Sequence, residues 1–478
     1  MKPVPNIVLI TLDECKASAL GCYGNEDALT PHMDQLAREG MLFEEAYCTF
    51  PKCVPSRAAL MTGRYPHVEG HRTLPGFEVR AGENNLIREL KNAGYKTAMY
   101  GKNHTIEPSG LDELFDAYRP VRKGKDVPWG RGPAERDDDL FRAFYRGDFS
   151  EVEQMSDYYA TLDAKAFIEE NKQQPFFLLV NYNAPHPPYT DVSPYIERIR
   201  ERGIRLPAVE PLEQAPAVLR AYREVYGLEH LSEAQWRKVV EAYYGLVSFV
   251  DGQVGELMAQ LDASGLSENT IVVLTSDHGD FAGEHGCVEK WDTMFYDCLI
   301  KVPLMIRYPQ KLQAGQVSGA MTDNVDVAPT LLELAGGEAP EWMQGRSLMD
   351  VLAGHANTHK DAVFCEGGVE EAALARTVGL ETELHKQRHP NYHWKQELIV
   401  KHPWTICRSK MIRTKRWKLV YRVNGVTELY DLANDPMEGT DVSERPEYQA
   451  VRHQLMEQLL QWAIRTETDY PRIEQFYS

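Results

Sequence analysis

The sequence predicts a mixed α/β protein: a large, mostly parallel central sheet flanked by helices, then a smaller α+β unit with an antiparallel sheet. Three observations carry that prediction. Short, almost continuously apolar runs (NIVLIT, PFFLLVNYN and TIVVLTSD) read as strands covered on both faces. Segments with helical caps separate them, which implies right-handed crossovers and parallel pairing. After about residue 370 the pattern changes to alternating strands around an Asn-Gly turn.

Taken in order, NIVLIT (6–11) is a strand that runs into Asp13. TPHMDQLAREG (30–40) is a helix with Thr30 as N-cap, Pro31 in its first position and Gly40 as its stop. ENNLIRELKNAGY (83–95) repeats the helical pattern with Gly94 as C-cap, and TAMYG (97–101) is the next strand. PFFLLVNYN (175–183) follows as a buried strand. Ser232 and Gln235 form a capping box ahead of a helix through Leu261. TIVVLTSD (270–277), KVPLMIRYP (301–309) and the helical VDVAPTLLELAGG (325–337) continue the alternation. Residues 121–150 and 190–230, charged and interrupted by Gly or Pro, read as surface excursions. Residues 381–405 read as irregular. ICRSKMIRT (406–414), RWKLVYRV (416–423) and VTELYDL (426–432) read as strands, the last two joined at Asn424-Gly425. A helix near 446–466 closes the chain.

With 43% apolar and 26% charged residues, the chain has the composition of a soluble globular protein. A net charge of −19 argues against a general nucleic-acid binder, because phosphate binding needs a basic surface. The N-terminal apolar run is too short for a signal core and no stretch reaches transmembrane length, so a cytoplasmic protein with no membrane partner is expected. The eight cysteines (Cys15, Cys22, Cys48, Cys53, Cys287, Cys298, Cys365 and Cys407) form no CxxC pair, which speaks against a zinc ribbon and a dense disulfide framework. Asn103-His104-Thr105 matches a glycosylation sequon by pattern alone.

Two strands share one construction: one delivers Asp13 at its C-terminal end, the other Asp277-His278. In a parallel sheet those ends lie on one edge, where α/β folds place ligands. Two carboxylates and an imidazole there suit a divalent metal, although each Asp taken alone could simply cap a loop. Cys53 precedes Pro55-Ser56-Arg57 and a helical AALMTG. A helix N-terminus favours an anion, and a cysteine there beside Arg57 should have a lowered pKa. On these residues alone, Cys53 reads as an activated nucleophile at an anion site, against the commoner fate of a buried thiol.

Cys53-Val-Pro-Ser-Arg57 with Leu60-Met-Thr-Gly-Arg64 resembles the signature of the formylglycine-dependent (type I) sulfatases. Gly94-Tyr95-Lys-Thr97 leading to Gly101-Lys102-Asn103-His104 resembles the second signature of that family. LITLDE, TPHMDQLAREG, NYNAPHPPY, LTSDHGDFAGEHG, KVPLMIRYP and ELYDLANDP fall in the family's order, so the resemblance runs from about residue 5 to 440.

The resemblance implies an alkaline-phosphatase-like sandwich, with a catalytic domain over 1–370 and a small C-terminal domain over 371–478. It implies that a separate maturation enzyme oxidises Cys53 to formylglycine, whose hydrated gem-diol attacks sulfur. The second hydroxyl then expels sulfate. By similarity, Asp13, Asp277 and His278 with residue 53 would ligate one divalent metal, Ca²⁺ ahead of Mg²⁺ or Mn²⁺, with Glu14 a further candidate ligand at a position where many members have a non-ligand. Arg57 and Lys102 would hold the modified side chain, and His104 would act as base in the elimination. His186 and Lys290 would bind sulfate, one of them assisting the leaving oxygen. Glu14 stands where a second metal-binding Asp is common, His278 where many members have Asn, and Asn103 where an aromatic residue is usual. Asn103 thus lies inside a site motif, which removes the glycan reading.

Residues 381–422 hold eleven Lys or Arg against three Glu, with His385, His389, His393, His402, Trp394, Trp404 and Trp417 interleaved. Cations among aromatic platforms suit an anionic carbohydrate; equally, the basic residues could be the wet face of hairpin strands. Pro390 breaks the helix that a metal site on His385, His389 and His393 would need. The expected function is hydrolysis of a sulfate ester, with a sulfated small molecule or saccharide as substrate. The alternatives are a phosphonate monoester or phosphodiester hydrolase with the same nucleophile, and an inactive carbohydrate-binding relative.

Overall fold

The computed structural model describes residues 4–73, 78–120, 138–369 and 393–467. The strands in chain order are β1 (Asn6–Asp13), β2 (Met41–Phe43), β3 (Ala46–Tyr47), β4 (Lys96–Gly101), β5 (Ala117–Pro120), β6 (Tyr145–Glu151), β7 (Phe176–Pro185) and β8 (Tyr189–Ser193). They continue as β9 (Thr270–Ser276), β10 (Leu304–Arg307), β11 (Gln316–Ser318), β12 (Thr322–Asp323), β13 (Ala362–Gly367), β14 (Ser409–Thr414), β15 (Trp417–Arg422) and β16 (Thr427–Asp431).

Eight strands form the central sheet in the order β11-β2-β10-β9-β1-β7-β4-β5. β9, β1, β7, β4 and β5 pair in parallel, whereas β10 runs antiparallel to both β9 and β2. Both faces of β1 are buried because its side chains alternate between two cores. Val8, Ile10 and Leu12 enter one, against helices Pro31–Glu39, Ser156–Asn171 and Glu233–Ala263. Ile7 and Leu9 enter the other, against helices Cys53–Thr62, Leu86–Asn92 and Val327–Leu334. The expected capping box forms, with the Ser232 hydroxyl accepting from the Gln235 amide.

β13 to β16 make a four-stranded antiparallel sheet, and helix Gln449–Thr466 packs on it through Leu455, Leu459 and Trp462. Its first strand comes from ahead of residue 370. Among the described residues no helix is long and apolar enough to cross a membrane.

Three expectations are corrected. Residues 190–230 are not a surface excursion, because helix Ala217–Tyr226 buries Val218, Leu219, Tyr222, Val225 and Tyr226 on one face. Their i, i+3, i+4 spacing outweighs the intervening charges. Within 121–150, residues 121–137 lie outside the described residues, while Leu140, Phe141 and Phe144 are core. His393–Lys401 is helical rather than irregular, and His385 and His389 lie outside the described residues.

In the basic run after residue 394, Lys395, Arg413, Lys418 and Arg422 are buried, whereas Lys401, Lys415 and Arg416 are exposed. Lys418 and Arg422 are 0% and 1% exposed. Lys418 lies 2.7 Å from Asp297, Arg413 2.9 Å from the same carboxylate and Arg422 2.7 Å from Glu428. These cations serve as buried ion-pair partners, because a charge removed from water needs a counter-charge.

Candidate active site

Four parallel strands converge on one edge of the sheet and carry the site residues there. Asp13 ends β1, and Asp277 follows β9 with its amide donating to Leu12 O at 3.1 Å. Lys102 follows β4, its amide donating to Asn181 O of β7 at 2.8 Å, and His186 follows β7. The chain can pass β7 so closely only because residue 101 is Gly. It has φ +97°, and a Cβ there would meet Asn181 O at 2.0 Å. Facing this edge is the fully buried helix Cys53–Thr62, with Cys53 in its first position.

Arg57 ties the edge together from that helix. Its Nε donates to Asp277 Oδ2 at 2.8 Å, its Nη2 to Asp13 Oδ2 at 2.9 Å and its Nη1 to Thr11 Oγ1 at 2.9 Å. Lys102 Nζ lies 2.8 Å from Asp13 Oδ2. Asp277 Oδ1 accepts the amides of Glu14 at 3.1 Å and His278 at 2.9 Å. His278 Nδ1 lies 2.9 Å from Gly279 O, a partner that can only accept, and Nε2 faces the centre 3.4 Å from Cys53 Sγ.

The carboxylates respond differently to this setting. Burial pushes Asp13 up, but Lys102, His186 and Arg57 hold it well below the ordinary range. For Asp277, burial and the Asp13 charge outweigh Arg57 and leave its pKa raised. Cys53 contradicts the expected lowering: burial, then Asp13, push its thiol well above the ordinary value. Arg57 is close, but its charge is spent on two carboxylates that face the sulfur. The encoded thiol is therefore protonated and a poor nucleophile.

Glu14 adopts φ +67°, a strained conformation for a side-chain-bearing residue. Its carboxylate makes ion-pair contact with Lys290 and lies 3.3 Å from His186 Nε2, yet no hydrogen bond of ordinary geometry reaches either oxygen. Burial and the Lys102 ammonium push His186 down to about 3, so its imidazole is neutral near pH 7. The same two causes keep His104 neutral, and its buried Nδ1 has no hydrogen-bond partner among the described residues. Asn103 closes a turn, donating to Ile106 O at 2.8 Å and accepting the Ile106 amide at 3.1 Å.

A divalent cation fits these donors. Ligand atoms of Asp13, Cys53, Asp277 and His278 lie within 4.8 Å of one another, as do those of Asp13, Glu14, Cys53 and His186. The buried Glu14 carboxylate, which accepts no hydrogen bond of ordinary geometry among the described residues, and the raised pKa of Asp277 both fit a site that takes a further positive charge. Three carboxylates with one or two imidazoles suit a hard ion. His186, expected as a sulfate ligand, thus also belongs to a candidate metal set.

The structure brings together all ten expected residues: Asp13, Glu14, Cys53, Arg57, Lys102, His104, His186, Asp277, His278 and Lys290. Sequence reasoning missed the residues that hold them. Thr11 braces Arg57. Asp157 accepts the amides of Asn183 and Ala184, both at 2.8 Å, and so shapes the turn before His186. Lys52 pairs with Asp292 at 2.6 Å on either side of the site motifs. Their adjacency to Cys53 and Lys290 was the available signal for this last pair.

A family model described as Sulfatase matches residues 5–337, and one described as N-sulphoglucosamine sulphohydrolase, C-terminal, matches residues 381–465. The chain is 28% identical to an N-acetylglucosamine-6-O-sulfatase of Bacteroides thetaiotaomicron, over 95% of this chain and 85% of that protein. A structure solved with its substrate D-glucosamine-2-N,6-O-disulfate superposes with a TM-score of 0.74 at 25% identity, covering 98% of this chain and 99% of that one. The phosphonate monoester hydrolase of Agrobacterium radiobacter shares the fold, with a TM-score of 0.75 at 24% identity over 97% and 96% of the two chains.

Proposed function

The chain belongs to the sulfatase family and is a sulfuric ester hydrolase, and from that premise we propose that it removes sulfate from a sulfated carbohydrate. In this reading residue 53, matured to formylglycine, supplies the gem-diol nucleophile. Asp13, Glu14, Asp277 and His278 would hold one divalent cation, Ca²⁺ ahead of Mg²⁺ or Mn²⁺, which would supply Lewis-acid stabilisation of negative charge on the sulfuryl group. The observation that carries the reading is the convergence of Cys53, Asp13, Asp277 and His278 within 4.8 Å, bracketed by Arg57, Lys102 and Lys290. A pocket so rich in buried cations suits a transferred group that carries negative charge.

Each flanking side chain then has one task. Arg57 and Lys102 hold Asp13 ionised and orient residue 53 beside it. His104, neutral and with a free ring nitrogen, takes the proton whose loss expels sulfate. His186 is neutral and accepts or donates one hydrogen bond. Lys290, pushed down to about 7 by burial and the Lys395 ammonium, is the better proton donor to the leaving oxygen. The resemblance to sulfatases of amino sugars supports a saccharide substrate.

The test is desulfation of a panel of sulfated mono- and disaccharides by protein made together with a formylglycine-generating enzyme. Release of sulfate from at least one supports the reading, and turnover confined to non-sugar esters refutes the carbohydrate assignment.

A further inference from the structure

Lys290 sits on a buried segment whose neighbouring carboxylates are each held by a lysine from another part of the chain. On one side, Lys395 Nζ lies 3.4 Å and 3.5 Å from the two Glu289 oxygens, and Glu289 Oε1 lies 3.2 Å from Lys290 Nζ. On the other, Lys52 Nζ lies 2.6 Å from Asp292 Oδ2. Between them the Trp291 indole donates to Thr405 O at 2.8 Å, and the Lys395 ammonium stands 5.8 Å from the Trp291 ring centre. The Glu289 backbone is itself fixed. It takes φ +56°, its amide donates to Tyr189 Oη at 2.9 Å, and its carbonyl accepts the Phe281 amide at 3.0 Å.

Lys395 and Thr405 belong to the C-terminal part of the chain, on or just after helix His393–Lys401. That part therefore reaches into the segment carrying Lys290. We infer that Lys395 is a positioning residue: it pins the Glu289 carboxylate, which anchors the Lys290 ammonium at the sulfate pocket. The inference rests on reading Lys290 as a sulfate-binding cation. A lysine side chain loses much rotamer freedom when it is held, and an ammonium whose anchoring carboxylate is less firmly fixed binds a small oxyanion less well.

The experiment measures kcat and KM for an aryl sulfate, and the inhibition constant of inorganic sulfate, on matured enzyme. The variants are Lys395→Met, Lys395→Arg, Lys290→Met and the double Lys290→Met/Lys395→Met. Lys395→Met should lower kcat/KM and weaken sulfate inhibition, each by about tenfold, while in the Lys290→Met background it should change neither by more than about twofold. Lys395→Arg should recover most of the loss. Should Lys395→Met not fold, Glu289→Gln/Lys395→Met leaves no unpaired charge between that pair, and it should show the same weakened sulfate inhibition. Equal losses in both Lys290 backgrounds, or wild-type sulfate inhibition in folded Lys395→Met or the Glu289 double variant, would overturn the inference. Lys290→Met with unchanged sulfate inhibition would instead overturn the reading of Lys290 itself.

Discussion

Asp13 and Asp277, which lie at the ends of two adjacent parallel strands, are bridged by a single guanidinium. Arg57 reaches Asp13 at 2.9 Å and Asp277 at 2.8 Å, and all three side chains are 1% exposed or less. Two carboxylates facing one sulfur atom in so dry a place are held there by Arg57, with Lys102 a further 2.8 Å contact to Asp13.

Arg57→Met should therefore destabilise the metal-free protein more than an ordinary core substitution. Removing the bridge leaves two buried carboxylates short of charge, an effect of about 3–5 kcal/mol. Urea denaturation with and without calcium checks it: the loss should be smaller with calcium, because the ion replaces part of the missing charge.

Calcium should stabilise the wild-type protein as well as activate it. At about a hundred times the dissociation constant, binding to the native state alone adds about 2.7 kcal/mol. Thermal melting after exhaustive chelation, then with added Ca²⁺, Mg²⁺ or Mn²⁺, reads this directly. Glu14→Gln should weaken the calcium-dependent rise in Tm.

Cys53→Ala should abolish turnover while the fold survives, with stability changed by about 1 kcal/mol. Aryl sulfate hydrolysis and circular dichroism measure the two outcomes. Turnover in the folded variant would contradict the role of residue 53.

Away from the site, Glu366 should make stability fall in acid. Burial pushes its carboxyl up, but the His67 hydrogen bond and the Lys410 ammonium hold it at about 2, against 4.5 for an unperturbed Glu. The folded-state pKa is depressed, so the contribution is full above about 4.5 and lost as the pH drops toward 2. That difference corresponds to about 3 kcal/mol. Glu366→Gln should flatten this part of the stability–pH curve measured by urea denaturation.

The strands that place the site were legible because burial on both faces leaves an unbroken apolar run, as in β1, β7 and β9. Their direction was less so: nothing in KVPLMIRYP shows that β10 runs antiparallel, since pairing direction depends on how the chain returns. The buried helix Ala217–Tyr226 was hidden by Arg220, Arg223 and Glu224 on a segment preceded by prolines, although its apolar spacing could be read. Lys418 and Arg422 looked like surface charge because their counter-ions Asp297, Glu438 and Glu428 come from other turns and strands. The ten candidate site residues came from motifs, while Lys395, Glu289 and Asp157 belong to none. The expected activation of the Cys53 thiol failed because local sequence shows the helix end and Arg57 but not the two carboxylates that face the sulfur.

The central claim is that this pocket transfers a sulfuryl group from an ester. Parallel measurement of kcat/KM for an aryl sulfate and for matched aryl phosphonate and phosphodiester substrates, on calcium-loaded enzyme matured at residue 53, tests it most directly. The expected result is a clear preference for the sulfate ester. Preference for either phosphorus ester by orders of magnitude would contradict the account.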